Sequence, residues 1–268
     1  MCVDKTGTLT LNRITVCQLI VDEQTHTLDA QPLPEKFHTL AEFAVLAPPI
    51  DPFDPMDKAF KELGEKYLSD TEHLHAEWEL VHEYPLSEKL LALSHVWRSR
   101  DGGRYVIAAK GAPEAIADLC HFNASRLAVV TAQVEKAAAS GLRVLAVAGA
   151  DFNADDPLPA QQHDFDFRYL GLVGLVDPVR AGVADAVAEC RGAGIRTTMI
   201  TGDYPGTALE IGREIGLDHK AGCITGHELD TLVDDELASR ASAYSRAWSP
   251  SRSFDSFARC RPLAKSSG

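Results

Sequence analysis

"CVDKTGTLT", residues 2–10, is the stretch that decides the fold. It reads as the end of a buried strand, with only Met1–Val3 preceding the carboxylate of Asp4, followed by a loop that turns at Gly7. Open α/β sheets place their active sites at the carboxyl ends of the strands. A carboxylate there can attack phosphorus as a nucleophile and form an aspartyl phosphate. Attack by one anion on another needs cations, Mg2+ and a nearby lysine, to screen the charge. Lys5 is adjacent, Gly7 allows close backbone approach, and Thr6 and Thr8 add hydroxyl donors.

Outward from this loop, the pattern predicts a strand over 14–21 and helices over 34–47 and 55–68, separated by the proline-rich "APPIDPFDP". Strands follow over 78–84, 90–97 and 104–109. A helix opens in "GAPEAIADLC", with Pro113 in its first turn where a missing N–H costs nothing. An Ala-rich helix over 129–139, a strand over 142–150 and a polar loop over 153–162 complete an α+β region. The pattern then alternates: strand 169–176, helix 180–192, strand 195–200, helix 204–216. That alternation implies βαβ units in a parallel sheet. The expected division is therefore 1–17 and 168–244 as one parallel-sheet domain, split by an insertion at 18–152. Residues 245–268 lack periodicity and read as a disordered or aberrant tail.

The chain has 268 residues, 45% hydrophobic and 24% charged, enough for one large or two modest cores. With 26 basic and 39 acidic residues its formal charge is −13. Such a surface repels nucleic acid and anionic lipid, though a local basic pocket can still hold phosphates. The six cysteines form no CxxC pair and read as reduced thiols. No run approaches the ~20 apolar residues of a membrane span. There is no leader sequence, so a cytoplasmic chain with no transmembrane segment is expected.

Four further stretches carry chemistry. "MITGDYPGTA" at 199–208 is a strand, a T-G-D turn and a helix whose N-terminus favours phosphate oxygens. "GLVDPVR" at 174–180 ends a strand with Asp177 and Arg180. "KGAPE" at 110–114 joins a strand to a helix. "DPFDPMDKAF" at 51–60 opens the helix that carries Asp57.

The heptad "DKTGTLT" resembles the phosphorylation motif of the P-type cation-transporting ATPases, within the haloacid dehalogenase superfamily. The resemblance implies a Rossmann-like haloacid dehalogenase phosphorylation domain split by an inserted α+β nucleotide-binding domain. It implies that ATP phosphorylates Asp4 and that Asp4 and the Thr6 carbonyl hold Mg2+, with Lys5 alongside. Thr201 and Gly202 would contact the phosphoryl group, and Asp203 would lie near the nucleotide. Asp177 and Arg180 match the family's D-P-P-R segment, at the nucleotide and hinge side. Lys110, Gly111, Asp57 and Arg143 match residues around the adenosine and phosphates. The absence of a His-Pro pair and the form of "DPFDPMDKAF" resemble calcium-, sodium- and proton-type pumps. Thr6 stands where phosphatases of the superfamily carry a general acid/base carboxylate, so the intermediate is expected to be long-lived.

The sequence departs from the family in several places. In "PLSEKLLALS" at 85–94, Leu86 replaces the aromatic that stacks on adenine and Leu91 replaces a lysine, leaving Tyr84 as the candidate for stacking. G-D-G-V-N-D, which supplies a Mg2+ ligand, does not occur. "FARCRPLAK" at 257–265 offers Lys265 as a phosphate lysine. A change of reading frame near Tyr244 is the preferred account of that region. The resemblance also implies membrane helices before the heptad, through which any cation would move, and a longer first strand. An isolated chain is thus expected to be poorly stable. Two alternatives stand beside the leading reading: a soluble phosphohydrolase and a non-catalytic nucleotide-binding remnant.

Overall fold

The computed structural model of the chain describes residues 1–217 except 30, 70, 76, 88 and 101. The tail, Lys265 and the proposed change of frame lie outside these residues. The chain divides into two compact units. Among the described residues, one holds 1–13, 138–141 and 177–217; the other holds 14–137 and 142–176.

The second unit is built on seven antiparallel strands: β2 (Thr15–Val21), β3 (Gln24–Thr27), β4 (Glu79–Tyr84), β5 (Ala92–Arg98), β6 (Arg104–Gly111), β7 (Arg143–Asn153) and β8 (Arg168–Val176). Their spatial order is β3-β2-β8-β7-β6-β5-β4. Side chains alternate between the faces, and each face has its own helices. α1 (His38–Leu46) and α2 (Pro55–Tyr67) bury Phe37, Leu40, Phe60 and Leu63 with Val147, Val173 and Leu175. α3 (Pro113–Leu119) and α4 (Ala124–Ala138) bury Ile116, Leu119, Val130 and Val134 with Ile107, Ala146 and Leu172 on the other. Burial on both faces explains why β8 reads as a nearly unbroken apolar run rather than as an alternating strand.

That run is where the expectation fails. The strand over 169–176 does not begin a parallel βαβ unit. It lies between β2 and β7 and pairs antiparallel with both. The compact units accordingly meet in sequence at 13/14 and 176/177, and also at 137/138 and 141/142 around the short stretch 138–141. β3 carries "QTHT", with no apolar alternation to announce it. α4 begins five residues before the expected 129, because the Asn123 side chain accepts from Arg126 N–H at 2.9 Å and caps the helix there.

In the first unit, β1 (Cys2–Asp4) pairs in parallel with β9 (Thr198–Ile200). α5 (Val183–Gly192) and α6 (Pro205–Glu214) complete it. Its core is Leu9, Val187, Met199, Ala208, Ile211 and Ile215. Among the described residues, no helix is long and apolar enough to cross a membrane.

Candidate functional site

In the first unit, Asp4 ends β1 with its residue exposed, and its register partner across the parallel pair is Ile200. Thr201 is the next residue beyond that partner. Asp4 and the T-G-D turn therefore leave the carboxyl ends of two adjacent parallel strands, the place where open sheets bind phosphates. Pro205 opens α6 directly after the turn. Thr201 is buried, and its Oγ1 accepts from Asp203 N–H at 3.1 Å, which tightens the turn at exposed Gly202.

The heptad loop is a wide turn over Lys5–Leu9, closed by Thr10 N–H to the Lys5 carbonyl at 3.2 Å. Gly7 has φ of 75°, in the left-handed region where a side chain would be strained. Thr6, Gly7 and Thr8 are exposed. Lys5 points the other way. It forms an ion pair with Asp203, and both side chains are only 4% exposed. A pair this buried joins the heptad to the T-G-D turn through the interior of the unit, and neither member faces open solvent.

The D-P-V-R segment grips the same loop. The Thr10 hydroxyl donates to Asp177 Oδ2 at 2.6 Å, and Arg13 N–H donates to Asp177 Oδ1 at 3.1 Å. Arg180 Nε donates to the Thr10 carbonyl and Nη2 to the Gly7 carbonyl, both at 2.8 Å. Backbone bonds from Leu11 to Pro178 and from Arg180 to Leu9 run alongside. Asp177 and Arg180 thus hold the loop that carries Asp4. The resemblance implies a place at the nucleotide and hinge side; the hydrogen bonds give them a local task on the loop.

In the second unit, α2 starts cleanly. Asp54 accepts from Met56 N–H at 2.8 Å, Pro55 takes the first helical position, and Asp57 lies in the first turn near the positive end of the helix dipole. Asp57 receives an ion pair from Lys110, the penultimate residue of β6. The Lys110 ammonium also lies 4.9 Å from the Phe60 ring centroid. Burial pushes Lys110 below its ordinary pKa, and Asp57 opposes that shift. Beside it, His95 is buried with Nδ1 at 3.0 Å from the Pro48 carbonyl. Burial pushes its pKa down as well.

Two candidates in this unit stand differently from expectation. A Cβ on Gly111 would lie 2.4 Å from the Leu91 carbonyl oxygen and 2.7 Å from Ala92 Cα, so the β5–β6 contact by itself demands glycine there. Tyr84, the expected substitute for a stacking aromatic, is a core residue. It is 7% exposed, donates to the Pro159 carbonyl at 2.6 Å and packs edge-on against Phe165. A ring so enclosed has no face to offer a base. Leu86 and Leu91 are exposed, and Phe53, one residue before the α2 cap, is 94% exposed. Arg143 is exposed at the start of β7.

Mg2+ takes oxygen ligands and keeps several waters. Asp4 and Thr6 are both exposed, and a carboxylate and a backbone carbonyl are donors of that kind.

Residues 54–182 match the family model described as the P-type ATPase cytoplasmic domain N. The chain is 31% identical to calcium-transporting ATPase 1 of Bacillus cereus, over 90% of this chain and 29% of that protein. It is 33% identical to the sodium/potassium exporting P-type ATPase cta3 of Schizosaccharomyces pombe, over 69% and 20%. It is 28% identical to the calcium-transporting ATPase of Bacillus subtilis, over 89% and 31%. The chain thus spans less than a third of the length of each of these relatives. On the domain N match and these relatives, the chain belongs to the P-type ATPase family.

Proposed function

We propose that this chain is the nucleotide-binding and phosphoryl-accepting part of a P-type cation-transporting ATPase, with Asp4 as the acceptor. The observation that carries the reading is the register of β1 against β9, which sets Asp4 and the T-G-D turn at the same edge. The first unit is then a haloacid dehalogenase-like phosphorylation domain. The chain leaves it after Arg13 and returns to it at Asp177, apart from the short stretch 138–141, the second unit being the insertion. ATP binds the second unit at Lys110 and Asp57, with Arg143 available to its phosphates.

In the reaction, an Asp4 carboxylate oxygen forms a bond to the γ-phosphorus. The bond from that phosphorus to the bridging oxygen breaks, and its electron pair leaves with ADP. Thr201 and Gly202 present the turn that receives the phosphoryl oxygens. The grip of Asp177 and Arg180 fixes the backbone behind Asp4, so the nucleophile is held in place before ATP arrives. Mg2+, held by Asp4 and the Thr6 carbonyl, would screen the negative charge of the transferring group. Thr6 has no basic group for activating water, so the aspartyl phosphate persists. Cation transport belongs to the whole protein and its membrane helices.

A product analysis after mixing with ATP tests this reading. It expects ADP to form in a burst of up to one equivalent per chain, with slow phosphate release afterwards. Sustained phosphate release from a small phosphoester, lost in Asp4→Asn, would instead establish a free-standing phosphohydrolase.

A further inference from the structure

A cluster of imidazoles and carboxylates in the second unit belongs to none of the motifs above. Glu35 lies in the short 3-10 turn over Glu35–Phe37, His38 opens α1, and Glu42 follows one turn later. His73 and His75 come from the connection between α2 and β4. One carboxylate oxygen of Glu35 and one ring nitrogen each of His38 and His73 lie within 4.8 Å of one another. His38 Nδ1 and Glu35 Oε2 are 3.3 Å apart. Ligands about 2.0–2.1 Å from a tetrahedral zinc ion are separated by roughly that same distance, ~3.3 Å.

The hydrogen bonds fix which nitrogens are available. His38 Nε2 lies 2.8 Å from the Leu33 carbonyl, which can only accept, so Nε2 carries a proton and Nδ1, facing Glu35, is the nitrogen left for a metal. His73 Nδ1 lies 2.6 Å from Glu42 Oε2, an acceptor when ionised, which leaves Nε2 as the nitrogen for a metal. Metal-binding histidines are oriented in this way, by a carbonyl or carboxylate on the far nitrogen. Glu42 is itself held: its other oxygen contacts His75 Nε2 at 2.7 Å, and the His75 ring stacks on Trp78 with centroids 3.7 Å apart.

We propose that Glu35, His38 and His73 form a site for a divalent transition metal, zinc foremost, with Glu42 as its positioning residue. Two imidazoles and one carboxylate suit zinc, nickel or cobalt rather than magnesium. Three protein ligands leave a fourth position for water or another donor. A bound ion would tie the α2–β4 connection to the start of α1 and stabilise the folded state by linkage. The metal-free alternative is a His38 imidazolium paired with Glu35.

The test is titration of the full, chelator-washed chain with Co2+ and Zn2+. One equivalent of Co2+ is expected to give the visible absorption of a tetrahedral nitrogen/oxygen site, and Zn2+ to displace it. Zn2+ is expected to raise the thermal midpoint of the wild-type chain, and much less so that of Glu35→Gln. Glu35→Gln changes a side chain that is 86% exposed, so the metal-free midpoint should hold while affinity falls at least about tenfold. Glu42→Gln should weaken binding about 10–100-fold. Absence of the Co2+ band, or affinity within about twofold of wild type in Glu35→Gln, overturns the site and leaves the cluster as an ion pair.

Discussion

The Thr10 hydroxyl donates to Asp177 Oδ2 at 2.6 Å, joining the last residue of the heptad to the first residue of D-P-V-R, 167 positions later. Thr10 is fully buried and its carboxylate partner is half-buried. Hydrogen bonds to charged groups contribute about 1.5–3 kcal/mol. Thr10→Val keeps the shape and removes the donor, and should destabilise the chain by about 2 kcal/mol. Equilibrium denaturation measures this; a change under about 0.5 kcal/mol would show that the bond contributes little.

Arg180 makes the second half of the same grip, with Nε and Nη2 each on a loop carbonyl. A lysine offers no such fork. Arg180→Lys is expected to slow phosphoryl transfer to Asp4 about tenfold or more while leaving ATP affinity within about twofold. Loss of affinity without loss of rate would assign Arg180 to the nucleotide instead.

Lys110 and Asp57 form a pair with side chains 5% and 15% exposed. Removing one partner of a buried pair leaves a charge without compensation and typically costs about 3–5 kcal/mol. Asp57→Asn should therefore destabilise strongly, and Asp57→Asn with Lys110→Met should recover most of the loss. ATP binding should fall in both variants. Full ATP affinity in the stable double variant would remove this pair from the nucleotide site.

His95 supplies a pH signature. Its surroundings are the Pro48 carbonyl, Glu83 at 3.7 Å, Lys110 and Asp57, and burial lowers its pKa in the folded state. The unfolded chain takes up this proton first, near the ordinary value of about 6.5. Acidification below that point therefore favours unfolding, until the folded-state pKa is also passed. His95→Gln should flatten the fall in stability between neutral pH and about pH 5 relative to wild type. Parallel pH profiles for the two proteins would contradict the assignment.

Local grammar made much of this legible in the sequence. The heptad, the T-G-D turn and the start of α2 announced themselves by residues that do chemistry or cap helices where they stand. "YLGLVGLV" did not reveal its partners, because an unbroken apolar strand suits either a parallel sheet or an antiparallel sheet covered on both faces. Its place between β2 and β7 is a long-range choice that no window of sequence contains. The motif around Gly111 points to a nucleotide, while the need for glycine there also comes from the Leu91 backbone, which no local motif reveals. Tyr84 was read as a free ring, and its enclosure by Phe165 and Pro159 comes from residues some 75 positions away. Asn123, a residue type that caps helices, marks the start of α4 in the sequence itself.

The most direct test of the account is incorporation of label from γ-phosphate-labelled ATP, with Mg2+, into the full chain after an acid quench. Acid-stable label of up to one equivalent, released by hydroxylamine and absent from Asp4→Asn, is the expected result. ATP binding without any label in the wild-type chain, or label that persists in Asp4→Asn, would contradict it.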